Sequence, residues 1–385
     1  MSATLSLQYL PGETRAFLHR DGRLEGLAIL RDGGPAAVGA LAVGRVLRLD
    51  RRLNAAFVAL PEGPDGFLPL AEAPAGLSEG ALLAVRVTRV AAEDKGPRLS
   101  AKLEPEQRRA VEPLAGGPRL IAGGRSSLGA LEGTALGWAA LEGEAGLCRA
   151  DDPAAFALLV SDGLERQLLP AGFSEAEAAG FDAEVAALLE PAVALAGGGS
   201  LLVEVGRTLT AIDVNLGAGT AAAVNEAAAR EAARQLRLRA IGGRVVIDFL
   251  DSHASELRAA IERTLKAALA ADPERVKTLG WSRGGLYELT RRRSQPSLAE
   301  LLLEPEGRFG NRRKSAATLA FEALRAAAIA GRARPGARLV LRVPPAVAAF
   351  LAEHPARRHV EAKLGRAIAL QEGGAETLTV AFEED

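Results

Sequence analysis

Two short stretches place acidic side chains where strand ends would expose them. In TLTAIDVN (208–215), side chains alternate, so Asp213 and Asn215 share one face at the strand's C-terminal end. In RVVIDF (244–249), Asp248 also sits at the C-terminal end of a short apolar strand. Between them Val224, Ala228, Ala232 and Leu236 recur every four residues, which predicts a helix from about Ala221 to Arg239, stopped by Gly242-Gly243. A strand–helix–strand crossover makes the two strands parallel, so Asp213 and Asp248 would meet on one rim. That rim is where open α/β sheets hold ligands. Neighbouring carboxylates repel, and a hard divalent ion such as magnesium, or manganese in its place, offsets the repulsion. Such an ion activates a bound water for attack on a phosphodiester and stabilises charge on the phosphorus oxygens. Asn215 could orient a water or ligand without adding charge. Spacing alone equally allows Asp213 and Asp248 to be strand-end or capping acids. Asp251 and His253 read as a cap and a surface residue beside Ser252.

Other chemistries are poorly supplied. The chain of 385 residues holds one cysteine, Cys148, and four histidines, so no internal disulfide or cysteine-caged zinc can form. Metal chemistry would have to rest on carboxylates. Acidic and basic side chains nearly balance at 48 and 47, with 48% apolar residues, an ordinary globular composition. No apolar run is long enough to span a bilayer. Pro11-Gly12 and Glu13 interrupt the place where a signal peptide needs its apolar core, so a cytoplasmic protein is expected.

The elements that must position the acids divide the chain. Short strands with Asp-Gly turns fill residues 1–36. Five strand candidates between 37 and 105, GRVLRL, AAFVAL, GFLPL, LLAVRVTRV and RLSAKL, fit a small OB-type barrel. The stretch 106–130 reads as a linker or reduced element, and 131–197 mixes short helices and strands. Residues 198–303 begin with a hairpin turning at Gly206-Arg207 and continue through the helix and RVVIDF to a second helix starting near Ser252, with Leu257, Ile261, Leu265 and Ala268 on its face. Residues 304–385 read as a small α/β unit: a helix near 316–330, the strand ARLVLRV, a helix near 345–353 and a last strand ETLTVAF.

Basic residues gather in two places. On the central helix, Arg230, Arg234 and Arg237 read as a solvated face, with Glu226 pairing to Arg230. Between 281 and 314, eight basic side chains, among them Arg283, Arg291 and Arg293, face four acidic ones, a patch able to follow a phosphate backbone or simply to form a solvated rim. In the barrel, Phe57 and Phe67 fall on successive strands, with Lys95 before the last one. Such residues either stack bases beside a cation or fill the core.

LTAIDVN (209–215), ARQLRLRAIGGRVVIDFLD (233–251) and SRGGLYELTRRR (282–293) together resemble the ribonuclease E/G family in order and spacing. LNAAFVAL and GFLPL resemble that family's S1-type barrel, and DDPAAFALL (151–159) its ribonuclease-H-like part. The resemblance implies an α/β (α+β multidomain) protein. An S1-type OB barrel would interrupt a ribonuclease-H-like subdomain, and a DNase-I-like catalytic subdomain and a small C-terminal α/β unit would follow. It implies a magnesium-dependent endoribonuclease acting on single-stranded RNA, or a non-catalytic RNA-binding relative. Asp213 and Asp248 would hold magnesium, with Asn215 in support. Phe57, Phe67, Lys95, Arg283, Arg291 and Arg293 would touch RNA. Three departures stand out. EPEGRFGNRRKS (304–315) lacks the family's zinc-linking cysteines, so no zinc is expected and any homodimer would form without that link. The 5′-phosphate sensor falls on Gly123 and Gly124. The loop after Asn215 is a short LGAG, and Gly284 replaces an aromatic residue. No tail that scaffolds other degradation factors is expected.

Overall fold

The computed structural model describes residues 3–31, 39–61, 64–89, 96–111, 117–122, 146–157, 165–206, 208–250, 255–306, 311–374 and 378–383. They form a mixed α/β protein with several sheets, one of them closed into a barrel.

The N-terminal segment forms longer strands than the sequence suggested. Ala3–Leu10, Glu13–Arg20 and Arg23–Arg31 make an antiparallel meander. Asp21 and Gly22 both take positive φ (49° and 77°), the geometry that lets a two-residue turn follow the strand twist. Gly146–Ala150 then pairs in parallel with the first strand, and Glu165–Leu168 in parallel with Gly146–Ala150. The sheet therefore joins two segments separated by the barrel.

The barrel contains the five expected strands, Leu41–Asp50, Ala55–Ala59, Gly66–Pro69, Leu82–Arg89 and Arg98–Ser100. It closes because Leu41–Asp50 pairs with both Ala55–Ala59 and Leu82–Arg89, while Gly66–Pro69 bridges to Arg98–Ser100. Strict alternation of buried and half-buried positions along Leu82–Arg89 fills the interior with Val85 and Val87 beside Val46, Val58, Leu68 and Leu99. The stretch read as a linker carries a helix, Pro105–Val111, and a strand, Arg119–Ala122, that adds to the barrel sheet beside Leu41–Asp50.

The central sheet runs Ala192–Ala194, Ser200–Val205, Thr210–Asn215, Gly243–Asp248, Tyr287–Arg291, Val276–Trp281 in spatial order. Its first long hairpin turns between Gly206 and Leu209, one residue later than the sequence suggested, with Gly206 N–H donating to the Leu209 carbonyl. The helices Ala221–Leu238 and Ser255–Leu269 complete its core. Val224, Ala228, Ala232, Leu236, Ile261 and Leu265 pack on Leu201, Val203, Ile212, Val214, Val245 and Ile247. The second helix starts at Ser255, later than expected, and residues 251–254 lie outside the described residues.

The C-terminal unit is a three-stranded sheet, Ile368–Glu372, Arg338–Val343, Thr379–Glu383, with helices Ala316–Ala333, Pro345–Glu353 and Pro355–Leu364. The last helix and Ile368–Glu372 were not anticipated from the sequence. A buried carboxylate fixes this unit to the N-terminal sheet. Glu13 receives Arg15 (3.1 Å), Arg31 (2.7 Å) and Arg325 (2.6 Å), and Arg31 continues to the Leu301 carbonyl and Thr318 Oγ1. Burial alone would raise the Glu13 carboxyl. Arg325, then Arg15 and Arg31, outweigh burial and hold it at about 2, below its ordinary 4.5.

Because the folded value lies below the unfolded one, this clamp stabilises fully above about pH 4.5 and fades as the pH falls towards 2. Urea unfolding should show Glu13→Gln destabilised by about 3–5 kcal/mol at neutral pH, since three guanidinium groups lose their partner. The gap to wild type should shrink on acidification. A gap that does not change with pH would contradict the clamp.

Candidate active site

Asp213 and Asp248 face each other directly. They are register partners on adjacent parallel strands, Thr210 opposite Val245 through Asp213 opposite Asp248. Neighbouring strands lie about 4.8 Å apart. Both aspartates are exposed, on the face opposite the buried Ile212, Val214, Val245 and Ile247. Asn215, two residues on, donates from Nδ2 to Asp213 Oδ2 at 3.1 Å. The structure thus brings together all three residues that the spacing singled out. Among the described residues, no group of three or more His, Cys, Asp or Glu could enclose a metal.

The surroundings of the pair are tightly fixed. The loop after Asn215 crosses the glycine run 197–199 at backbone contact, where a Cβ on Gly217 would overlap Gly199. Thr220 then caps the helix through its Oγ1, which accepts from Ala223 N–H. From the second turn of that helix the fully buried Asn225 clamps the strand end beyond Asp248. Its Oδ1 accepts from Leu250 N–H (3.0 Å) and its Nδ2 donates to the Leu250 carbonyl (2.7 Å). Sequence reasoning missed Asn225. Its signal was an amide beside Val224 on the apolar side of an otherwise alanine-rich helix.

Arg283 occupies the same end of the sheet. Ile247 pairs with Tyr287 and Tyr287 with Trp281, so the turn from Ser282 to Leu286, which joins the two strands beyond Gly243–Asp248, rises at the same end as Asp248. Ser282 Oγ and carbonyl accept from Leu286 and Gly285 N–H, leaving Arg283 and Gly284 exposed at its tip.

Other basic residues are employed elsewhere. Arg291, expected to touch RNA, is buried, with Asp272 gripping Nε and Nη2 (2.8 and 2.9 Å) and the Ile241 carbonyl accepting from Nη1. Its guanidinium is a structural tie, not a phosphate contact. Arg293 pairs with Glu300 (3.0 Å), Arg313 with Glu304 and Lys314 with Glu322, so much of the expected patch is neutralised. On the central helix only Arg230 keeps the expected solvated pairing with Glu226. Arg234 and Arg237 instead reach the Leu24 carbonyl and Glu25, docking the helix on the N-terminal sheet.

On the barrel, Phe57 and Phe67 are register partners, half-buried, with rings edge to face at 6.0 Å. The Arg48 guanidinium lies 3.9 Å from the Phe57 ring centre, a cation beside the aromatic pair that the sequence reading omitted. Lys95, Gly123 and Gly124 lie outside the described residues. The stretch 304–315 supplies a hairpin, Leu303–Glu306 with Asn311–Lys314, in the place where zinc-linking cysteines were sought.

Residues 172–294, which contain the paired aspartates, Asn225 and Arg283, match the model of the ribonuclease E/G family. Over this segment the chain belongs to the ribonuclease E/G family. A ribonuclease E/G-like protein, chloroplastic, of Arabidopsis thaliana is 39% identical over 132 residues, 32% of this chain and 13% of that protein. Ribonuclease E of Escherichia coli K12 is 38% identical over 127 residues, 31% of this chain and 12% of its own length. Ribonuclease G of the same strain is 30% identical over 200 residues, 49% of this chain and 41% of its own length. The chain thus spans less than half of these ribonuclease E/G relatives. No helix among the described residues is long and apolar enough to cross a membrane.

Arg291→Ala should lower the urea unfolding midpoint by an amount equivalent to about 3–5 kcal/mol, because Asp272 is left buried and unpaired. Single-strand RNA binding titrated against salt should keep its slope. A slope reduced by about one unit would return Arg291 to phosphate contact.

Proposed function

We propose that this protein is a magnesium-dependent endoribonuclease that cleaves single-stranded RNA at the Asp213–Asp248 rim. The observation that carries the reading is the register partnership of these two exposed carboxylates within the family segment. The donor set suits magnesium, which takes one or two carboxylates and keeps several waters in preference to an all-protein cage. Asp213 and Asp248 would hold the ion, with manganese able to substitute. When bound, it would supply charge stabilisation at the phosphate and a more acidic water. Asn215 fixes the Asp213 carboxylate through its amide, and Asn225 fixes the backbone beyond Asp248. Arg283, exposed at the same end of the sheet, is placed to steady the RNA backbone. Arg48, Phe57 and Phe67 offer the barrel surface on which a base would stack, with Lys95 as a further cation.

The same reading assigns finer folds. Three antiparallel strands followed by two parallel ones, from residues 3–31 and 146–168, support a ribonuclease-H-like subdomain interrupted by an S1-type barrel. The six-stranded sheet with its two helices supports a DNase-I-like catalytic subdomain over about 198–303. The barrel's aromatic pair favours one other function, RNA binding without cleavage, because Phe57, Phe67 and Arg48 are set by barrel pairing alone and do not depend on the rim.

A fluorescent single-stranded RNA should be cut only when magnesium or manganese is added. Asp213→Asn and Asp248→Asn should each reduce the rate by roughly 100-fold or more while leaving RNA affinity nearly unchanged. Wild-type binding without metal-dependent cleavage would leave the RNA-binding function alone. Phe57→Ala should weaken single-strand affinity by about 1–3 kcal/mol in an anisotropy titration, and unchanged affinity would remove the barrel surface from RNA contact.

A further inference from the structure

A second site lies far along the chain from the paired aspartates. The strand Ala3–Leu10, the stretch 170–173 and the helices Ala316–Ala333 and Pro355–Leu364 line a partly open cavity of about 170 Å³. Ile329 belongs to its apolar wall, and Gln8, Asp151, Arg325, Arg332 and Lys363 bring polar groups to it.

Several of those polar groups are buried and incompletely satisfied. Arg325 spends one Nη on Glu13, while its Nε and other Nη have no hydrogen-bond partner among the described residues. Gln8 Oε1 has none either. Arg325 is only 8% exposed and Gln8 6%, so a partner for these atoms has to enter through the cavity. Arg332 reaches the Phe173 carbonyl at 3.0 Å past Gly172, where a Cβ would lie 2.8 Å from its Nη1. Burial holds the Arg332 guanidinium below its ordinary range. Lys363 donates to Asp152 and to the Asp151 carbonyl, and the Asp151 carboxylate accepts from Tyr9 N–H. Burial pushes Asp151 up to about 6 and lowers His359, which bonds Asp152. Around the cavity and the adjoining Glu13 clamp, the cations Arg15, Arg31, Arg325, Arg332 and Lys363 outnumber the carboxylates Glu13, Asp151, Asp152 and Asp182 by one.

We propose that this cavity binds a small organic anion, a carboxylate or phosphate monoester carried on a ring-sized apolar body. An apolar cavity of about 150 Å³ accommodates benzene, so the volume suits one ring and one acid group. The acid meets the surplus positive charge of Arg325 and Arg332, and a hydroxyl on the ring satisfies Gln8 Oε1. Because the walls come from the N-terminal sheet and the C-terminal unit, the bound anion ties the two together and raises the stability of the folded chain by mass action. The proposal is independent of the nuclease reading.

Calorimetric titration of the full chain with 4-hydroxybenzoate, 4-hydroxyphenyl phosphate and neutral 4-hydroxybenzamide tests it. At least one anion should bind at least about ten-fold more tightly than the amide, the preferred one distinguishing carboxylate from phosphate ligands. Ile329→Trp, which fills the cavity, should abolish binding, and Arg332→Leu should weaken it by about ten-fold, with both variants checked for native circular dichroism. Failure of both anions to bind, equal affinity for the amide, or undiminished binding to a folded Ile329→Trp protein would overturn the site. The anion–amide comparison uses the unaltered chain, so it decides the matter even if a variant fails to fold.

Discussion

Asp213 stands opposite Asp248 because Ile212 stands opposite Ile247, one residue earlier on the same two strands. The isoleucines are fully buried against the two helices and the aspartates are exposed on the other face. A one-residue slip of either strand would send its carboxylate into the apolar layer and its isoleucine into water. Each misplaced isoleucine forfeits about 1.5–3 kcal/mol, and the buried charge costs more. The apolar core therefore selects the register, and the register creates the acidic pair. Thr220 and Asn225 refine that arrangement by fixing the loop that follows Asn215 and the backbone that follows Asp248.

The molecule uses carboxylates in two opposed ways. Glu13 is sealed from water and saturated by three guanidinium groups, so it joins elements and has no capacity left for a ligand. Asp213 and Asp248 remain in solvent, and Asn215 is the partner seen on Asp213. The same contrast separates the arginines. Arg291 is consumed by Asp272 and a carbonyl, while Arg283 projects from a turn whose own backbone is already bonded. Charge becomes available for chemistry where the fold has not already spent it.

That distinction explains which features could be read from the sequence. The helix Ala221–Leu238, the five barrel strands and the meeting of Asp213 with Asp248 follow from periods of four and two, which are local properties of the chain. The fate of an arginine is not local. Arg291 meets Asp272 across 19 residues, and Arg237 meets Glu25 across 212. No pattern around either residue announces its partner, so both read as solvent-facing. The helix Pro355–Leu364 was missed for a different reason. Its start, Pro-Ala-Arg-Arg-His, resembles a polar turn, and it becomes a helix because His354 Nδ1 accepts from Ala356 N–H and Pro355 occupies the first helical position.

The parallel pairing of Ala3–Leu10 with Gly146–Ala150 matches Ala3 to Gly146, with the whole barrel lying between them in the chain. During synthesis the first strand therefore emerges long before its neighbour. Until then one of its edges presents unpaired amides and carbonyls to the cell. The barrel, which closes on contacts within its own segment, can fold in that interval and bring the two distant strands together. By setting Leu41 opposite Ala122, the barrel sheet draws the two ends of its own segment together, so less chain entropy remains to be lost when Gly146–Ala150 docks on that edge.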